Sequence, residues 1–194
     1  MKQLRIPAFL HDVFGEKQSI GSILAILLFG GILTTALYWS FPELTNQLPV
    51  WRSALALLLI FDIFAGCIAN FTASTSNFYA ARKTNRIVFI TIHFHLVLVA
   101  LLLRTDIGYS LGVWAYTIIG AFIVNALIGK HSQLFVAGLL LSIGLGSIPM
   151  LPGITPYMLI VCILFMLKVL FSFAVDHYGI AKHNTDEEAS IGEK

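Results

Sequence analysis

The chain has 194 residues, 58% hydrophobic and only 11% charged, with a mean hydropathy of +0.87. A soluble globular domain carries about 25% charged residues, so this composition excludes a chain solvated only by water and points to lipid. The net charge of +2 follows from where a few cations fall, which gives no reason to expect a nucleic-acid partner; Cys67 and Cys162 both lie in apolar runs, which argues against a disulfide framework or a thiol-redox centre.

The pattern predicts an all-α polytopic integral membrane protein, a six-transmembrane-helix bundle preceded by a short interfacial helix. Residues 1–18 mix apolar and charged side chains and predict a cytoplasmic amphipathic segment, helical from near Pro7. The first span, about 19–41, ends in Tyr38, Trp39 and Phe41, an aromatic belt. It is longer than the apolar region of a signal peptide and has no clear small-x-small cleavage site. Pro42 and Pro49 bracket a loop, and the second span runs about 51–73. The stretch TASTSNFYAARK then either continues that helix, breaks it or forms a loop. The third span is about 86–103 and the fourth 108–128, stopped by Gly129. The fifth is about 132–148, followed by a turn with Pro149 and Pro152 as breakers, and the sixth 156–178. The transmembrane domain is thus 19–180. Residues 181–194 have no apolar face and are expected to be a disordered cytoplasmic tail.

Nine of the twelve Lys and Arg residues fall before the first span, in every second loop, or after the sixth. Only Arg52 and Arg104 lie on the other side, and Lys168 sits inside a span. The positive-inside rule then puts both termini in the cytoplasm, with a plasma or cytoplasmic membrane as the expected location. Six spans also set the first and last three helices in opposite orientations, the arrangement of an inverted repeat, although the halves share no convincing sequence similarity.

Ionisable residues at mid-bilayer cost about 2.5–3.5 kcal/mol on insertion scales and mark candidate sites. Asp62 and Lys168 each lie twelve positions into a helix of the same direction, roughly 18 Å along it, so they are expected to pair. The pair is either a structural fastener or a switch at which a proton, ion or solute competes for Asp62. Lys168 could instead snorkel away. Asp62, Gly66, Ala69, Asn70, Ala73 and Asn77 fall within about 100° on one helical face. Gly66, Ala69 and Ala73 read as a packing stripe. Asp62, Asn70 and Asn77 read as the wall of a polar vestibule, with Asn125 from the fourth span and Lys168 from the sixth.

His93 and His95 stand about 200° apart on a continuous helix, which opposes shared ligation of one metal. In an ideal hairpin, His95 comes level with Asn70 and His93 with Thr72. His95 then either caps the polar stripe or relays protons to Asp62. Metal ligation by His93 and His95 is the alternative, with no cofactor expected. Arg82, Lys83 and Arg86, next to the Ser/Thr-rich segment, are candidates for contact with anionic headgroups at the inner leaflet. The plainer alternative for that segment is hydroxyls satisfied by backbone carbonyls.

No GxSG, HExxH, GxGD or Walker A pattern occurs. Three functions compete. The first is a transport or solute/ion-binding protein built on Asp62 and Lys168. The second is an intramembrane enzyme acting on lipid at the inner leaflet, with Asp62 and His95 as acid/base groups or metal ligands. The third is a non-catalytic accessory or assembly subunit. The first is preferred, because transporter sites lie near the midplane. The expected partner is the bilayer itself, with a second copy or a partner membrane subunit compatible with the composition.

Overall fold

The computed structural model describes residues 3–46 and 48–179; the tail 181–194 lies outside the described residues. Among the described residues the protein is helical apart from two three-residue strands, and six helices are long and apolar enough to cross a membrane.

The N-terminal segment is a hairpin rather than one interfacial helix. Strand β1 (Gln3–Arg5) pairs antiparallel with β2 (Lys17–Ser19), with Leu4 opposite Gln18. Between them lie a 3-10 turn (Ala8–Leu10) and a single helical turn, α1 (His11–Phe14). The helix cannot extend because Gly15 takes a left-handed φ of +70°. That turns the chain back towards β1.

Span α2 (Ile20–Ser40) begins at a capped end: Ser19 Oγ accepts from the Ser22 amide at 3.0 Å. It packs on α4 (Val50–Ala69), where Gly30 allows close approach to Ala65. A short α3 (Glu43–Asn46) joins them. The polar stretch after α4 breaks the helix. Residues 70–72 turn, and a separate α5 (Ala73–Ala80) starts with Thr72 as its cap.

The third span is itself broken, into α6 (Lys83–Ile92) and α7 (His95–Leu103). His93 and Phe94 leave helical geometry between them. The freed His93 carbonyl accepts from Trp114 Nε1 at 2.9 Å, and Phe94 stacks on the Trp114 ring. A buried break needs such substitutes for the missing ladder bonds. The consequence is a divergence: α7 packs on α4 and α8, while α6 packs on α5 and α8.

The remaining spans are α8 (Ile107–Ala126), α9 (Gln133–Ser147) with a 3-10 extension (Ile148–Met150), and α10 (Pro156–Met166), which continues as a seven-residue π-helix (Leu167–Phe173). This last element contacts α4, α8 and α9 and forms the centre of the bundle. At the α7–α8 end, Arg52 Nε donates to the Leu102 carbonyl at 2.8 Å, and Asp106 accepts from Thr155. Arg52 thus satisfies a carbonyl left open at the end of α7.

Candidate functional site

Two departures from regular helix converge on one carboxylate. Asp62 Oδ2 accepts from Lys168 Nζ at 2.7 Å, and His95 Nδ1 lies 2.9 Å from the same oxygen. Lys168 comes from the π-helix, and His95 is the first residue after the break in the third span. The matched depths of Asp62 and Lys168 therefore do produce a contact.

Local geometry holds Lys168 in place. Its ammonium also donates to the Asp62 carbonyl at 3.2 Å. Its own carbonyl accepts from Ser172 Oγ at 3.2 Å and Asn70 Nδ2 at 3.4 Å. Gly66 leaves the space its stem occupies: a β-carbon there would come within 2.5 Å of Lys168 Cε. Gly66 is thus a seat for the lysine as well as a small packing residue. The exposures of the partners differ sharply. The Lys168 side chain is 4% exposed and that of Asp62 46%. The carboxylate faces an opening, while its counter-ion is sealed behind it.

That opening is a cleft of about 370 Å³ between α4 and α6. Its floor carries Asp62, His93, His95 and Lys168, and Asn70 lies beside them. Asn85, Val88, Phe89 and Ile92 form the α6 wall, and Asp12, Val13 and Tyr79 the end nearest the hairpin. Asn85, Val88, Phe89 and Ile92 recur at the three- and four-residue spacing of one helix face. That face is legible in the sequence, and it adds Asn85 to the site. Asp12 and Tyr79 had no comparable signal, because they reach the cleft only once the hairpin docks.

His93 is 4% exposed. Its Nδ1 lies 2.6 Å from the Phe89 carbonyl, and a carbonyl can only accept, so this nitrogen carries the proton. In the neutral ring Nε2 is then a lone-pair acceptor, and it is buried and without a partner among the described residues. The rings of His93 and His95 stand 5.0 Å apart. Sequence spacing had set them on opposite faces of one helix; the break at 93–94 removes that separation. No group of three or more His, Cys, Asp or Glu side chains among the described residues is arranged to hold a metal.

Several expected placements shift. His95 meets Asp62 rather than Asn70, because α4 stops at Ala69 and residues 73–80 form their own helix, so the ideal hairpin register does not apply. Ala73 and Asn77 leave the polar face for the same reason. Asn77 does not line the cleft, and its Oδ1 is buried without a partner among the described residues. Asn125 accepts from Arg86 Nε at 2.9 Å, away from Asp62. Arg86 is buried and also donates to the Phe173 and Ala174 carbonyls, so it does not reach a headgroup. Arg82 pairs with Glu16 at 2.8 Å and lies over the Phe78 ring; Lys83 is exposed.

The Ser/Thr-rich segment is largely occupied by the N-terminal hairpin. Gln18 Nε2 donates to Thr72 Oγ1 at 2.9 Å, Thr75 Oγ1 to the Val13 carbonyl at 3.1 Å, and Tyr79 OH to the Asp12 carbonyl at 3.0 Å. Burial, with the Asp12 carboxylate beside it, holds the Tyr79 phenol above its ordinary pKa, so it stays a neutral donor. No protein-family model, curated protein or solved structure matches this chain.

Proposed function

We propose that this is a six-span integral membrane protein of a plasma or cytoplasmic membrane, both termini cytoplasmic, that binds and transports a small polar group at Asp62. One observation carries the reading: a half-exposed carboxylate, shared by a buried lysine and a histidine, lies where two spans depart from α-helix. Discontinuous helices at the midplane are how transporter sites present backbone and side-chain groups to a solute, and π-segments recur at functional sites. In this reading Lys168 balances Asp62 when the site is empty. A ligand or proton reaches the exposed side of the carboxylate, with His95 beside it at 2.9 Å.

The Asp62–His95 contact also suits acid/base chemistry, which keeps an intramembrane enzyme as the second reading. The accessory-subunit reading has less support, because the polar groups surround a cleft instead of forming an exposed docking stripe.

Native mass spectrometry tests ligand binding even where the ligand's identity is open. The wild type and an Asp62→Leu/Lys168→Leu variant are incubated with a total small-molecule and lipid extract of the expression host. A small-molecule adduct on the wild type, absent from an equally folded double variant, supports the reading. Equal adducts on both, or none on either, overturn it.

A further inference from the structure

We infer that the ligand of the Asp62 cleft is an uncharged amphiphile with a hydroxyl-bearing head, which enters sideways from the bilayer. The inference rests on the proposed binding role of Asp62 and names the ligand class.

The direction of entry follows from the walls. The hairpin covers much of the cleft's end: Asp12 and Val13 line it, and Gln18, Thr75, Tyr79 and Arg82 fasten the hairpin down. The flank between α4 and α6 is different. α6 diverges from α4 below the break, and the lining residues Val88 and Ile92 are 49% and 60% exposed at span level. A molecule passing that flank crosses apolar side chains before it meets polar ones. Only a ligand with a hydrocarbon portion satisfies both.

The head chemistry follows from the floor. Asp62 Oδ2 accepts from Lys168 with His95 Nδ1 2.9 Å away, and no bond to Oδ1 occurs among the described residues. His93 Nε2 is a second open acceptor, buried and unpartnered. The site therefore offers acceptors and asks for donors. It does not ask for charge, because Lys168 already balances Asp62 at 2.7 Å. A cationic head would add a second positive charge beside a buried ammonium. An anionic head would face the carboxylate. A hydroxyl head donates to both acceptors at no electrostatic cost. The cleft, at about 370 Å³, suits such a head and the first part of a chain, leaving the rest between α4 and α6 in lipid.

The test uses the full chain in phosphatidylcholine nanodiscs. Three photoactivatable probes share one diazirine-bearing acyl chain: a monoacylglycerol, its dimethyl ether without hydroxyls, and an amine-headed analogue. The expected result is labelling of α4 and α6 by the monoacylglycerol, competed by unlabelled monoacylglycerol. It should exceed the ether by about tenfold, what one net hydrogen bond is worth. Ile92→Trp, an exposed change on the flank, should reduce it. Equal labelling by the ether, stronger labelling by the amine, or labelling unaffected by Ile92→Trp overturns the inference. An extract-derived adduct that depends on Asp62 and Lys168, combined with no selective probe labelling, sinks the amphiphile alone. Loss of that adduct sinks the binding role itself.

Discussion

Gly66 and Lys168 occupy a shared space: the lysine stem runs where a side chain at position 66 would begin, 2.5 Å from Cε and 2.9 Å from Nζ. Gly66→Ala should therefore push the ammonium off Asp62. An overpacked interior costs about 1–3 kcal/mol. The thermal midpoint in detergent should fall, and Gly31→Ala, where no atom stands within 4 Å, should leave it unchanged or slightly raised.

The ion pair gives an ordering. Asp62→Leu alone leaves Lys168 charged and buried, and breaking such a pair from one side costs about 3–5 kcal/mol. The Asp62→Leu/Lys168→Leu double variant should lie within about 1–2 kcal/mol of wild type. Denaturation of the three variants in one detergent checks this. A double variant less stable than both singles would show that the pair is not the dominant interaction at either position.

Docking of the hairpin depends on Gly15. Its φ is +70°, and a β-carbon there would collide with the Ser74 backbone. A backbone at φ +70° and ψ −170° is essentially restricted to glycine and costs another residue about 1–3 kcal/mol before the collision is counted. Gly15→Val should release the hairpin. Limited proteolysis should then cut within residues 3–19 faster than in wild type, while the spans stay protected.

His177 predicts a pH dependence at the end of the sixth span. Burial lowers its pKa from the ordinary value, so the unfolded chain binds its proton more readily. Stability is then full above the unfolded pKa of about 6.5 and falls as the pH drops below it. His177→Gln should flatten that slope in pH-dependent thermal unfolding.

The six long apolar helices and the Asp62–Lys168 contact were legible because each rests on a simple quantity, apolar run length or depth along a helix. The rest depends on where helices break. His93 and Phe94 lie in an apolar stretch with no Gly or Pro, and the break there depends on Trp114, twenty-one positions away. The register of His95 depends on the same break and on the separate helix at 73–80. Arg86 looks like a headgroup contact from its neighbours Arg82 and Lys83, but it turns inward to Asn125 and the carbonyls ending the sixth span.

The most direct test is water access to the floor of the cleft. In a chain with Cys67 and Cys162 replaced by Ala, His95→Cys and Leu98→Cys are compared in sealed vesicles of known orientation. His95 lines the cleft, whereas Leu98 is exposed one turn further along and does not. A small, charged thiol reagent should modify the cysteine at 95 and spare the one at 98. Modification of neither, or of both alike, would contradict a polar, water-reached site at Asp62.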